Sequence, residues 1–296
     1  MTVVNDALLK AVFEAAKPKP KTLMFTLWDV GHGLSIWIKT PSGHNHWIDA
    51  GWNSEPSFCP AEHVRYVYKE SALDLLVISH ADADHIQGLP GIVKHLGDPR
   101  VLLHDKTLSD KDKFGSGNLE YQKFYRYLDA THSSVVSFEQ SPFNPLYNGG
   151  VIIAHASLPM TEGRKFNDIS TVVFYLYEGW LFVCPGDIES TGWTQLWALH
   201  SGNFKPLIDA AKWKVLVAPH HGRESAYSQE MMDTIKPQLV LISDEHGQEP
   251  TDRRFRENPS GLTLNGVTEK YYTTKLGGRI QFKIGTGGTY VFSQTE

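Results

Sequence analysis

At 296 residues the chain can bury a sizeable core, and 41% hydrophobic against 21% charged residues excludes wholesale disorder. The formal charge, 28 basic minus 33 acidic residues, is −5 with neutral histidines, which excludes a protein that coats nucleic acid by charge alone but not one with a local basic groove. Two cysteines, Cys59 and Cys184, cannot build a disulfide framework, and no apolar run approaches the ~20 residues that span a bilayer.

Residues 5–16 place Leu8, Leu9, Val12 and Phe13 on one helical face, followed by a Lys/Pro linker. Residues 1–21 are therefore expected to form a short helix and tether ahead of one main domain at 22–296. Such a short helix needs a docking face, on this domain, a second copy or a partner protein. Asp6 and Glu14 speak against a signal peptide there, so the expected location is the cytoplasm, away from membranes. Strands follow at 23–28, 34–40 and 46–49, with Trp28, Trp37 and Trp47 expected in the core. A helix at 61–70 leads to 73–79, an apolar run that reads as a strand buried on both faces, and a further helix is expected over 86–96. The polar stretch 106–117 reads as a loop. The second half gives a hairpin of 171–177 and 180–184 about Glu178-Gly179, a helix at 191–199, and a buried strand at 215–218. A helix ending at 231–235, a strand at 239–243 and a closing hairpin of 279–283 with 289–292 complete it. This alternation predicts a layered α/β sandwich with strands in the middle.

The chemistry begins immediately after the buried strand. His80-Ala-Asp82-Ala-Asp84-His85 sets four potential metal ligands among small alanines, so none of the run is spent on packing. If the segment is extended, residues 80, 82 and 84 share one side while His85 turns away, which presents ligands to two adjacent ions. The alternative is a plain capped loop in which Asp84 starts the next helix. Two more strand ends carry ligand types: Cys184-Pro-Gly-Asp187 and Ala218-Pro-His220-His221-Gly222. A carboxylate in the first could bridge two cations, and gathering beyond strand ends is where layered α/β folds build sites.

The sequence resembles the metallo-β-lactamase fold hydrolases, in the branch that includes the C-terminal hydrolase domain of ComEC-type competence DNA-uptake proteins. The resemblance rests on Asp29-Val-Gly-His-Gly33, Ile48-Asp-Ala-Gly51, Ser79 through His85 with Gly88, and Asn167-Asp-Ile-Ser170. Pro185-Gly-Asp187, Pro219-His-His-Gly222, Tyr272-Thr-Thr274 and Gly277-Gly-Arg279 continue it, so it covers about residues 23 to 292. It implies a four-layered αββα sandwich with a two-metal site on its edge, where a metal-bound hydroxide attacks the substrate. His80 and Asp82 would hold one ion, Asp84 and His85 the other, with Asp187 bridging and His220, or alternatively His221, as a further ligand. Asp49 would brace the loop rather than bind metal. Aspartate at position 82, where the more familiar motif has histidine, is a harder ligand and makes Mn2+ as reasonable as Zn2+. His155, Asn167 and Asp168 are candidates to border the site. Three departures from the branch pattern bear on substrate: His32 stands where glutamine is expected, Leu34 where aspartate is, and Arg223 where serine is.

The reading that results is a two-metal hydrolase of phosphodiesters, including a DNA nuclease, with catalytic roles for Asp84, Asp187 and Arg223, the last clamping a phosphate. Lys106, Lys111, Lys113, Lys123 and Arg126, interleaved with Tyr121, Phe124, Tyr125 and Tyr127, could line a groove for a single strand, or the aromatics could pack one helix face on the core. Hydrolysis of a small ester, lactone or cyclic nucleotide, and a non-catalytic binding module retaining the fold, are the rival readings.

Overall fold

The structure, a computed structural model, describes residues 22–52, 58–106, 114, 119–131, 136–245 and 250–295. The helix expected at 5–16, and Lys111 and Lys113 of the expected groove, lie outside the described residues.

The first sheet is built from β1 (Leu23–Leu27), β2 (Ser35–Lys39), β3 (Asn45–Ala50), β4 (Leu75–Val77), β5 (Val101–Leu103), β14 (Arg279–Ile284) and β15 (Tyr290–Thr295), in the order β15-β14-β1-β2-β3-β4-β5. The second contains β6 (Ile152–Ala156), β7 (Val172–Tyr177), β8 (Trp180–Cys184), β9 (Trp213–Val217), β10 (Leu239–Ile242) and β13 (Tyr271–Thr273), in the order β13-β10-β9-β8-β7-β6. A separate two-stranded sheet, β11 (Leu262–Leu264) with β12 (Val267–Glu269), adds Leu262 and Leu264 to the core. Strands β1 to β3 pair antiparallel and β3 to β5 parallel, while β6 to β8 pair antiparallel and β8, β9, β10 and β13 parallel. The parallel halves matter most here, because their carboxyl ends are where the ligand-bearing loops leave the sheets.

The two sheets meet through alternate, fully buried side chains: Phe25 of β1 stacks on Phe182 of β8 with ring centroids 4.2 Å apart, and Cys184 belongs to the same apolar layer. The other face of the first sheet carries Trp28, Trp37 and Trp47 and is covered by α1 (Pro60–Tyr66), α3 (Leu89–Leu96) and α4 (Glu120–Thr131). The other face of the second sheet is covered by α5 (Ser190–Ala210) and α6 (Gln229–Ile235), whose Trp193, Leu196, Phe204 and Met231 are fully buried. Short helices α7 (Arg254–Glu257) and α8 (Thr274–Gly277) lie in the C-terminal part. The αββα sandwich is thus the observed architecture.

Two expected elements differ. The helix at 86–96 is instead a four-residue helix α2 (Ala83–Ile86) and then α3, with Gly88 between them and Pro90 in the first turn of α3. The helix at 191–199 runs on to Ala210 despite Gly202 and Pro206, because Phe204 and Leu207 continue its buried face against the second sheet.

Candidate metal centre

The segment after β4 is not extended throughout, which corrects the sidedness expected for it. Asp82 is still in the β region and precedes the first residue of α2, and its carboxylate makes no capping hydrogen bond. The helical turn from Ala83 then brings Asp84 and His85 together, with the His85 ring 4.2 Å from that of His80. His80 Nε2 lies 3.4 Å from Asp82 Oδ2, whereas His85 Nε2 lies 3.9 Å from Asp84 Oδ2. The run divides two and two.

Asp187, following β8, stands between these pairs. His85 Nε2 is 3.1 Å from its Oδ1, and His80 Nε2 is 4.0 Å from its Oδ2. The turn after β9 brings both of its histidines to the same carboxylate: His220 Nε2 and His221 Nε2 each lie 3.9 Å from Asp187 Oδ2. His221 Nε2 also lies in hydrogen-bond contact with Asp84 Oδ2 at 3.1 Å. One ligand atom each from Asp84, His85, Asp187 and His221 fall within 4.8 Å of one another. His80 and His220 adjoin the group through Asp187 Oδ2, and Asp82 through His80.

Tertiary contacts aim these side chains. Asp49, fully buried and at φ 54°, accepts from the Ser79 amide and hydroxyl, both at 2.7 Å, and from His85 Nδ1 at 2.9 Å. With Nδ1–H donated to a carboxylate, the His85 Nε2 lone pair faces the cluster. His80 Nδ1 meets the hydroxyls of Ser79 at 3.1 Å and Ser170 at 3.4 Å, and Ser170 Oγ also accepts from the Asp187 amide at 3.1 Å. Gly186, at φ 60°, lets this loop sit against both serines: a Cβ there would be 2.7 Å from Ser79 Cβ. Ser243, just beyond β10, accepts from His221 Nδ1 through its carbonyl at 3.1 Å.

The same contacts test whether a metal fits. His80 Nε2 is buried and has no hydrogen-bond partner, and the buried His85 Nε2 faces Asp187 Oδ1 at 3.1 Å. A buried polar atom left unpaired costs about 1–3 kcal/mol, and a Lewis acid between imidazole and carboxylate removes that cost. Imidazole nitrogens with carboxylate oxygens are the donor set of Zn2+ and Mn2+ sites. The residues fit.

Electrostatics within the cluster are reciprocal. Burial opposes ionisation of Asp84 and Asp187, but His85 and His221 outweigh it and hold both carboxyls below the usual range. Burial likewise opposes protonation of His85 and His221, yet Asp187 and the neighbouring carboxylates raise both. His32 and His220 are lowered, with burial the main cause. Protons would therefore compete with any cation held by His85 and His221.

Asn167 Nδ2 lies 3.4 Å from His220 Nδ1 and borders the site, whereas Asp168 accepts from the Glu189 amide at 3.0 Å and fixes the start of α5. His155 stays in β6, packs on the Phe143 ring at 4.8 Å, and is pushed down by burial to about 4, away from the cluster. Arg223 directly follows the histidine turn, is 9% exposed, and its charge is felt at His32. On α4, Tyr125 and Leu128 are buried and Phe124 and Tyr121 pack on the first sheet's helical layer, so those aromatics serve the core, while Tyr127 is exposed and donates to Asp98 at 2.6 Å.

No family model matches the sequence. Among curated proteins, Competence protein ComA of Neisseria gonorrhoeae is 24% identical over 294 residues, which is 95% of this chain and 36% of that protein. ComE operon protein 3 of Bacillus subtilis (strain 168) is 24% identical over 232 residues, 73% of this chain and 27% of that protein. The chain thus spans about a third of the length of these relatives. Among solved structures, Igni18, a metallo hydrolase from the archaeon Ignicoccus hospitalis KIN4/I, superposes with a TM-score of 0.50 at 13% identity, over 88% of this chain and 98% of that one. No helix among the described residues is long and apolar enough to cross a membrane. The chain has the metallo-β-lactamase fold, and its sequence is similar to that of ComEC-type competence proteins.

Proposed function

We propose that the chain is a metal-dependent phosphodiesterase with nucleic acid among its substrates. The observation that supports metal dependence is the convergence of buried imidazole nitrogens on Asp187: His85 Nε2 at 3.1 Å from one carboxylate oxygen and His80 Nε2, which has no hydrogen-bond partner, at 4.0 Å from the other. His80, Asp82, Asp187 and His220 would hold one divalent cation, and Asp84, His85, His221 and Asp187 the other. Two such cations, Zn2+ or Mn2+, would supply Lewis acidity and lower the pKa of a water toward neutrality.

The chain's own groups do the rest. Asp49 and Ser79 fix the ring orientations of His85 and His80, and the Ser170 hydroxyl anchors the Asp187 amide. Asp82, His32 and His220 are the more exposed members of the cluster, with side-chain exposures of 49%, 34% and 28%, so substrate enters over them. Arg223 follows the His220-His221 turn and its charge is felt at His32, which makes it the group suited to a phosphate oxygen, since a guanidinium can form charge-assisted, bidentate hydrogen bonds.

The test is elemental analysis of purified protein, followed by assays with Mn2+ and Zn2+ on linear DNA, RNA, small phosphodiesters and lactones. Asp187→Ala is expected to abolish turnover of every substrate. Loss of a charge-assisted contact costs about 1.5–3 kcal/mol, so Arg223→Ala should slow phosphodiester cleavage roughly 10- to 150-fold and leave a neutral ester or lactone nearly unchanged. Lactone turnover without phosphodiester cleavage in the parent protein overturns the proposal.

A further inference from the structure

The cluster contains a third imidazole on the Asp84 side that the resemblance does not assign. His32 Nε2 lies 3.4 Å from Asp84 Oδ2, the oxygen that His221 Nε2 approaches at 3.1 Å and His85 Nε2 at 3.9 Å. Three Nε2 atoms from three separate loops converge on one carboxylate oxygen. With His32 the ion on this side of Asp187 has five donors, and donors about 2.1 Å from one five-coordinate ion are spaced by roughly 3.0–3.6 Å, a range that contains the 3.4 Å between His32 Nε2 and Asp84 Oδ2.

The loop that carries His32 is fastened for this position. Gly31, at φ 67°, donates its amide to Asp29 Oδ1 at 3.2 Å, and the His32 amide donates to Glu245 Oε2 at 3.2 Å. Ser243 Oγ donates to the Gly33 carbonyl at 2.6 Å, and the Leu34 amide donates to the Asp84 carbonyl at 3.1 Å. A Cβ on Gly33 would stand 2.6 Å from that carbonyl, so only glycine lets the two loops meet. The loop that carries His32 is therefore tied to Asp84 backbone to backbone through Leu34. The His32 ring packs on His221 with centroids 4.8 Å apart, and its Nδ1 is buried without a hydrogen-bond partner.

We propose that His32 is a ligand of the cation held by Asp84, His85 and His221, so that this position has three imidazoles and favours Zn2+, while the Asp82 position favours Mn2+. The proposal rests on the two-metal reading above. Imidazole is the softer ligand and carboxylate the harder, so donors of unequal softness on the two sides of Asp187 give positions of unequal preference. With glutamine at 32, an amide oxygen would replace the imidazole and the two positions would become more alike.

The experiment is competitive metal titration of the parent, His32→Gln and His32→Ala against a chromophoric chelator, with Zn2+, with Mn2+ and with both together. The absorption spectrum of the Co2+-loaded forms provides a second readout. His32 is partly exposed, so both variants should fold, which melting of the metal-free proteins verifies. The parent should bind one Zn2+ more tightly than the other cation. Each variant should weaken that tighter site on the order of 100-fold and alter the Co2+ spectrum, and free imidazole should restore affinity to His32→Ala. Unchanged titrations and Co2+ spectra in both variants overturn the assignment, as does a fall in turnover with metal binding intact, which would place His32 on the substrate. A parent that binds no divalent cation overturns the two-metal reading itself.

Discussion

Replacing Asp49 with asparagine tests how this fold makes a metal ligand out of a buried histidine. Asp49 Oδ2 accepts from both Ser79 Oγ and His85 Nδ1, at 2.7 and 2.9 Å, and Oδ1 accepts from the Ser79 amide at 2.7 Å. Asparagine keeps the shape and tolerates the φ of 54°. Its single carbonyl oxygen can continue to serve the Ser79 amide, but its NH2 then points at His85 Nδ1. That ring must accept there, which moves its proton to Nε2, the atom 3.1 Å from Asp187 Oδ1. A ligand lone pair becomes an N–H. Loss of such an orienting partner lowers metal affinity roughly 10- to 100-fold, or about 1.4–2.7 kcal/mol. Chelator competition on Asp49→Asn beside His85→Ala measures it, with thermal unfolding of both metal-free proteins as the check on folding. Parent-like affinity in a folded Asp49→Asn would refute the idea that Asp49 sets the His85 tautomer.

Acid sensitivity is expected from His46, which lies fully buried near Tyr175 Oη at 3.3 Å and is pushed down by burial to about 3. Because the unfolded chain binds this proton near pH 6.5 and the folded chain does not, stability falls as pH drops through the window from 6.5 to 3, by about 2 kcal/mol at pH 5. His46→Leu should flatten urea stability between pH 7 and 5 by that amount, and an unaltered slope would assign the acid sensitivity elsewhere. Gly186→Ala places a Cβ 2.7 Å from Ser79 Cβ at a φ of 60° and should lower the urea midpoint by an amount equivalent to about 1–3 kcal/mol; a parent-like midpoint would show that the Ser79 loop yields freely.

The parts of the centre that could be read in the sequence were those carried by short spacing. His80 through His85 stood out because alanine separates the ligands, and Asp187 because Gly186 precedes it after an apolar strand. What local pattern could not supply was the partition of those residues. Extended geometry groups positions 80, 82 and 84, but the turn starting at Ala83 groups 84 with 85 and leaves 82 with 80. The bracing by Asp49 and Ser170 spans 36 and 90 residues of sequence, so only the packing of β3, β4 and β7 against one another reveals it. Likewise, Gly202 and Pro206 signal a helix end that the buried face of α5 overrides.

The choice between His220 and His221 shows why backbone strain belongs to the site. In an extended strand consecutive side chains point to opposite faces, so only one of the pair could reach Asp187. Both residues are instead left-handed, at φ 47° and 53°, and both Nε2 atoms reach Asp187 Oδ2 at 3.9 Å with their rings 66° apart. The amide of His220 donates to the Gly186 carbonyl at 3.2 Å and its carbonyl accepts from the Arg223 amide at 2.9 Å, which holds the turn in place. A non-glycine residue in this conformation costs about 1–2 kcal/mol. His220→Ala and His220→Gly remove the same ring, but only glycine releases the strain, and glycine loses about 0.5–1 kcal/mol of that gain to chain entropy. The glycine variant should therefore be more stable than the alanine variant by several tenths of a kcal/mol to about 1 kcal/mol, the reverse of the order in an ordinary helix or strand. Urea unfolding of the two metal-free variants reads the difference directly. Alanine equal to or above glycine would mean that the turn relaxes once the imidazole is gone, and that the ring's contacts with Asn167 and Ser225, rather than the fixed backbone, impose the left-handed conformation.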